Sequence, residues 1–407
     1  MKSLSLDCLF AGLLEINLLN KLKILVINNL YPPQVIGGYE RALADYAKLL
    51  HDRGHNVLVL TSNTEELPTG YTKAESDLSM VRRSLSLWGA WTHQGTEAFY
   101  PGKVASIAVQ NYQTLEQVLL AWKPDVCLAG NMDFLGATVL EQMLAADIPV
   151  AHYVMNSHPG YPPELAPRSS LYRYITVSDW IRNTLQQQGY PVETAQTIYP
   201  GAEVADFYQV ELPPRDRLRI VYAGLVMHYK GPDVLIEALY LLHETGVDFT
   251  ATIAGGSLTP EFARVLQEFV ESEGLQEKIC FTGLLSRQEL VQLYRTHNVW
   301  VLPSRFEEPF SIGLMEAMVA GLTIVASDTG GSPEAVKDGE TGLIFESENP
   351  LDLGDQLSYL FMNPAEWEAM SRKGQERALS ELSRTRTMDR LESVLYELTL
   401  SNKKINQ

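Results

Sequence analysis

Two glutamates eight positions apart, Glu308 and Glu316, lie within the stretch from Pro303 to Glu334, PSRFEEPFSIGLMEAMVAGLTIVASDTGGSPE. The pattern from Ser311 to Ala320, closed by Gly321, predicts a helix with Glu308 near its N-terminus and Glu316 about two turns further on. Glu316 is the only charged residue in that helix, among Leu314, Met315, Ala317, Met318 and Val319. A carboxylate in such company needs a partner. Neighbouring sugar hydroxyls are suitable donors, because a carboxylate accepts two hydrogen bonds at once. Two carboxylates at this separation suit the two sugars of a nucleotide-sugar, with its diphosphate near the helix N-terminus between them. The structural alternative is an acid that complements the helix dipole at Glu308 and a buried polar cap at Glu316.

Lys230 stands directly before Gly231 and Pro232, which open another helix, so a phosphate would find an ammonium and a helix N-terminus together. The lysine is not followed by Ser or Thr, and no Gly-x-Gly occurs in the chain. Neither a Walker A loop nor a dinucleotide fingerprint is therefore present. Gly37 and Gly38 also open a helix, where bare backbone lets N–H groups approach an anion or a sugar closely, or where a helix start simply tolerates glycine. No Asp-x-Asp pair occurs, so the usual way of bridging a diphosphate with a metal ion is missing. Lysine and backbone donors are expected to take its place, with no metal and no cofactor.

The elements that must carry these residues follow from periodicity. KILVINN from Lys23 reads as a buried strand, Gly38 to Arg53 as a helix with Tyr39, Leu43, Tyr46, Ala47 and Leu50 on one face, and VLVLT as a strand. Strands near 125–129, 149–154 and 174–178 continue the alternation, while 64–105 is less regular. YPGAEVADFYQVELPPRDR, near 199–217, breaks the pattern and reads as a linker. Beyond it come RIVYAGL, a helix over 232–243, TATIAGG, a helix over 260–273, KICFTG, a helix over 287–296 and VWVLP. Two doubly wound α/β domains follow, with ligands expected beyond the carboxyl ends of their strands. Residues 364–398 read as helices and SNKKINQ as a fraying tail.

The chain has 407 residues, 45% of them hydrophobic, enough for two or three well-filled domains. Its net charge of -18 argues against nucleic acid as a partner and against electrostatic docking on anionic lipid. Three cysteines, Cys8, Cys127 and Cys280, show no metal-ligand or redox spacing, which suits a reducing cytoplasm. Asp7 and Glu15 interrupt the apolar opening, so residues 1–20 read as an N-terminal extension rather than a signal peptide. No segment approaches the length of a membrane span. Peripheral membrane contact stays open but is not indicated, since apolar surface in 64–105 can offset the acidic balance.

Taken in series, these residues resemble the retaining glycosyltransferases of family 4, which have the GT-B fold. The resemblance runs from Lys21 to about Leu398. It is carried by YPPQVIGGYERALADYAKLLHDRGHNVLVLT, YITVSDW, the loop Gly224 to Lys230, FTG at Phe281, and above all EPFSIGLMEAMVAG followed by DTGGSPE. It implies two Rossmann-like domains facing each other across a cleft: 21–205 on the acceptor side, 206–385 on the nucleotide-sugar side, and 386–407 as a helix returning to the first. It implies that Glu308 meets the donor sugar and Glu316 the ribose. Lys230 would neutralise the departing diphosphate, with Gly224, Gly231, Phe310, Ser311 and Ile312 around it and Gly283 and Leu284 by the base. The position where the family places a histidine falls by count near Met155, with His152, Asn156 and His158 nearby, and His152 reads rather as an ordinary strand residue. The sequence departs from the family at Leu225, where arginine is common, and at Ser311, where glycine is frequent.

The implied activity is metal-independent transfer of a hexosyl unit, with retention, from a nucleoside-diphosphate sugar to an unidentified acceptor hydroxyl on a glycan, lipid or small molecule. Leu225 and the displaced histidine also admit a catalytically weak scaffold that binds a nucleotide-sugar or a partner transferase. Epimerisation of a nucleotide-sugar is the remaining alternative.

Overall fold

The structure is a computed structural model and describes residues 21–64, 67, 79–92, 95–257 and 259–405. The expected N-terminal extension, and much of the irregular stretch after residue 64, lie outside them. Short apolar runs form strands that are buried almost throughout, because helices cover both faces of a parallel sheet.

The first half runs β1 (Lys23–Ile27), α1 (Gly38–Asp52), β2 (Asn56–Ser62) and β3 (Val81–Leu85), then a hairpin of β4 (Gly89–Thr92) and β5 (Gly95–Ala98). There follow α2 (Pro101–Trp122), β6 (Val126–Ala129), α3 (Thr138–Ala145), β7 (Val150–Val154), β8 (Tyr172–Thr176), α4 (Asp179–Gln187) and β9 (Gln196–Thr197). The seven-stranded sheet has the order β3-β2-β1-β6-β7-β8-β9. Val26 pairs in parallel with Val59 on one side and Leu128 on the other.

The second half runs α5 (Val204–Phe207), β10 (Leu218–Ala223), α6 (Pro232–Glu244), β11 (Phe249–Ala254), α7 (Pro260–Ser272), β12 (Ile279–Gly283), α8 (Arg287–Thr296), β13 (Val299–Leu302), α9 (Ile312–Val319), β14 (Thr323–Ser327) and β15 (Gly342–Phe345). Helices α10 (Pro350–Met362), α11 (Pro364–Ser380) and α12 (Arg384–Ile405) close the chain. The six strands are ordered β12-β11-β10-β13-β14-β15. This is the Rossmann order, in which strand succession reverses between the first and fourth strands, here β10 and β13. Val221 pairs with Thr252 and with Trp300 across that centre. The core beneath it holds Leu235, Leu239, Val301, Leu357 and Trp367, all essentially inaccessible.

The chain divides into two compact units: the residues up to Tyr153 with Pro159–Arg173 and Glu392 onward, and Val154–His158 with Tyr174–Leu391. Segment 174–205 is thus tied to the second unit, ahead of the linker expected near 199–217. Two contacts explain the tie. The Glu334 carboxylate accepts the N–H groups of Asp179 (2.9 Å) and Trp180 (2.6 Å) at the start of α4, and the supposed linker forms α5, whose Phe207 is buried beside Tyr294. The tail expected to fray continues α12 as far as Ile405. Among the described residues no helix is long and apolar enough to cross a membrane.

Candidate functional site

Lys230 and Glu308 meet at the reversal of the second sheet, although 78 positions separate them. Lys230 ends the loop that follows β10, and Glu308 lies in the loop that follows β13, so the two neighbouring central strands deliver them to one edge. The Lys230 Nζ donates to Glu308 Oε1 at 2.5 Å, and both side chains are largely covered. Lys230 also stands 5.5 Å from the Tyr229 ring centroid and 5.8 Å from that of Phe306, close enough for cation–π attraction.

The two loops are stitched together along their length. The Tyr229 carbonyl accepts from the backbone N–H groups of Arg305 and Phe306, each at 3.0 Å. The Arg305 guanidinium binds Asp233 through two bonds of 2.8 Å and donates to the His228 carbonyl. Gly231 makes the approach feasible. Its φ of +67° is left-handed, and a Cβ there would stand 1.8 Å from the Pro303 carbonyl oxygen. On the other flank, Gly331 N–H donates to the Glu308 carbonyl at 2.8 Å. Lys230 and Glu308 therefore sit on a rigid frame, the arrangement a binding site requires.

Helix α9 begins where the sequence predicts, with Ser311 as its N-cap. The Ser311 hydroxyl accepts the N–H of Leu314 at 3.2 Å, and its own N–H donates to the Ser332 hydroxyl at 3.2 Å. Phe310 is buried and stacks at a tilt on Tyr199, 4.8 Å between centroids. Gly224 and Gly283 lie at the ends of β10 and β12, and Leu284 beside them is 82% exposed, an open apolar surface at that edge.

Glu316 differs from the expectation of a carboxylate awaiting a ligand. Arg287, the first residue of α8, donates to its Oε1 at 3.1 Å and to Asp206 of α5 at 2.6 Å, while lying over the Phe207 ring. Burial raises the Glu316 pKa above the usual carboxylate range, and Arg287 opposes that rise. Sequence reading missed Arg287. Its position four residues beyond Gly283, at the carboxyl edge of the same sheet, is the signal that it was within reach.

In the first unit, Gly37 and Gly38 do start a helix, but the Gly37 N–H is donated to the Glu40 carboxylate at 2.9 Å. Glu40 thus supplies one half of a capping box, reaching back to the N-cap amide; glycine has no side chain for the other half. His152 is fully buried. Its Nε2 faces the Gly130 carbonyl at 2.9 Å, and its Nδ1 meets the Tyr172 and Tyr161 hydroxyls at 2.6 and 3.0 Å. Burial lowers its pKa to about 3, so the ring is neutral. Asn156, on the loop after β7, is half-buried and is grouped with the second unit. Among the described residues no cluster of three or more His, Cys, Asp or Glu is placed to hold a metal ion.

Two Rossmann-like α/β domains, with a lysine and a carboxylate gathered at the sheet reversal of the second, define a GT-B protein. Two family models match the chain: the one described as Glycosyltransferase Family 4 over residues 36–206, and the one described as Glycosyl transferases group 1 over residues 205–377. Together they span most of its length, and the chain belongs to glycosyltransferase family 4.

Similar curated proteins include the D-inositol 3-phosphate glycosyltransferase of Paenarthrobacter aurescens (strain TC1), 33% identical over 39% of this chain and 38% of that protein. The one of Thermobifida fusca (strain YX) is 29% identical over 50% and 47%. These matches thus span less than half the length of either relative. Among solved structures, a glycosyltransferase from Rickettsia africae ESF-5 superposes with a TM-score of 0.72 at 18% identity, over 93% of this chain and 99% of that one. Anabaena Alr3699/HepE in complex with UDP gives 0.70 at 18%, over 92% and 100%.

Proposed function

We propose that the protein transfers a hexosyl unit from a nucleoside-diphosphate sugar to an acceptor hydroxyl, with retained anomeric configuration and without a metal ion. The observation that carries this reading is the Lys230–Glu308 pair at the reversal of a Rossmann sheet. In this mechanism the incoming diphosphate takes over the Lys230 ammonium, and Glu308, released from that pair, accepts hydrogen bonds from the donor sugar hydroxyls. The bond from the anomeric carbon to the diphosphate oxygen breaks while the acceptor oxygen bonds to the same face. The acceptor proton passes to the departing phosphate. Lys230 and the N-terminal amides of α9 stabilise the charge that develops on the leaving group, and fixed loops supply orientation. Glu316, held by Arg287, keeps its second oxygen for the ribose.

Leu225, 37% exposed on the loop before Lys230, leaves that loop with one cation fewer than its family commonly has. This favours the weak scaffold as the second reading. The experiment that separates them follows release of free nucleoside diphosphate from a donor panel, with and without sugar acceptors. UDP-glucose comes first, since HepE has a structure in complex with it. Sustained release that vanishes in Glu308→Ala and survives a chelator is expected. Binding without turnover across the panel would refute transfer, and loss with chelator that Mg²⁺ restores would refute the metal-free mechanism.

A further inference from the structure

A cavity of about 440 Å³ opens in the first unit, bounded by Trp88, Val104, Ala108, Leu135, Val139 and Leu165. Leu135 and Val139 come from the loop and helix that follow β6, Leu165 from the loop that follows β7, and Val104 and Ala108 from α2. The cavity therefore lies at the carboxyl edge of a parallel sheet, where such folds bind ligands, and its volume is that of a small-molecule site.

Its lining decides what it can hold. The Asn111 amide is committed to Ser86, accepting its N–H at 2.9 Å and donating to its carbonyl at 2.8 Å. The Gln142 Nε2 donates to the Tyr112 carbonyl at 2.9 Å. Thr138, Tyr161, the Trp88 N–H and the Gln142 carbonyl oxygen also line the cavity, but most of its wall is hydrocarbon, so a hydroxyl-rich sugar held wholly inside would leave groups unpaired at a cost for each. Hydrocarbon carries no such cost.

The surface beyond the mouth has the same character. Helix α2 carries only Lys103 and Glu116 as charges in 22 residues, in a chain of net charge -18. Val109, Tyr112 and Leu120, spaced to share one face of α2, are 58%, 51% and 71% exposed, and Leu165 at the rim is 56% exposed. Tyr112 belongs both to the cavity wall and to that face. Glu116 lies on the same face between Tyr112 and Leu120, so the apolar surface is interrupted there by one carboxylate, while Tyr112 and Leu165 keep the mouth of the cavity apolar.

We propose that this cavity receives a single alkyl or acyl chain carried by the acceptor, so that the protein glycosylates an amphiphile rather than a free sugar. The word acceptor rests on the transferase reading; the chain-binding site does not.

Binding of methyl, hexyl, octyl and decyl β-D-glucosides to the full chain, below their micellar concentrations, tests this by calorimetry. Affinity is expected to tighten about fourfold per methylene while the cavity fills, with methyl glucoside not binding measurably. Ala108→Trp, which fills the cavity, and Leu165→Asp, at its exposed rim, are each expected to weaken octyl glucoside binding at least tenfold with the thermal midpoint unchanged. UDP release from UDP-glucose with octyl glucoside as acceptor should fall in both in step with the lost binding. Should Ala108→Trp fail to fold, Leu165→Asp carries the test alone. Affinity independent of chain length, or wild-type affinity in the folded variants, would overturn the proposal. Alkyl glucoside binding without diphosphate release from any donor would sink the transferase reading and leave the cavity assignment standing. Release with free-sugar acceptors as good as their octyl glycosides would do the reverse.

Discussion

Gly231 is the residue on which the geometry of the candidate site turns, and Gly231→Ala measures how much. Two effects add. The left-handed φ of +67° costs an L-residue roughly 1–2 kcal/mol. The new Cβ would also stand 1.8 Å from the Pro303 carbonyl oxygen, 1.2 Å inside the 3.0 Å that real contacts respect. Backbone must move to relieve that, at about 1–3 kcal/mol for an overpacked position. The sum, about 2–5 kcal/mol, predicts a fall in thermal midpoint of roughly 4–20 °C for a unit of this size. Because Pro303 opens the loop that carries Glu308, the displacement also separates Glu308 from Lys230. A shift of about 1 Å in a catalytic frame can cost on the order of 100-fold in rate. Gly231→Asn separates the two effects: asparagine tolerates the left-handed region but brings the same Cβ. Both variants should therefore lose diphosphate release to a similar degree, measured beside the thermal midpoint. An asparagine variant with wild-type stability and activity would refute the steric argument, and an alanine variant with both intact would refute the reasoning altogether.

Three further outcomes follow from named contacts. Lys230→Ala should lower diphosphate release about 100- to 1000-fold, the usual effect of deleting one group that stabilises developing negative charge, with a stability loss of about 1–3 kcal/mol from leaving the covered Glu308 carboxylate unpaired; activity within threefold of wild type would contradict its role. Arg287→Ala leaves Glu316 buried without its cation. Burial already raises this carboxyl, so its ionised form weighs against the fold as pH rises from the unfolded value of about 4.3, and Arg287 limits that loss. The stability gap between wild type and variant should accordingly open as pH climbs from 4 to 8, reaching about 1–3 kcal/mol; a gap constant with pH would show that the pair is not ionic. Glu392→Gln tests the anchor of α12 in the first unit. Glu392 accepts from His55 and from Arg53, each at 2.7 Å, and the bond from His55, with that from Arg53, holds its carboxyl below the usual range. Its stabilisation is present above about pH 4.3 and lost as pH falls through the depressed value, so a deficit of about 1–3 kcal/mol at pH 7 should shrink below pH 4. Urea melts at both pH values check it.

The sequence by itself determined the alternation of strands and helices, the two Rossmann-like sheets, and the loops where Lys230 and Glu308 lie. These rest on periodicity and on local punctuation by glycine and proline, which act over a few residues. It also determined the start of α9 at Ser311, whose capping hydroxyl is a local device. Only the tertiary structure decided the partners. Arg287 reaches Glu316 from another helix, and Glu334 ties α4 to the second unit across 155 positions. His152 belongs to a buried cluster with Tyr161 and Tyr172, and Glu392 joins the end of the chain to Arg53 and His55 across more than 330. No periodicity records such pairs, because pairing energy depends on distance and burial after folding rather than on separation along the chain. The same holds for the apolar cavity, whose walls come from four segments that a parallel sheet brings to one edge.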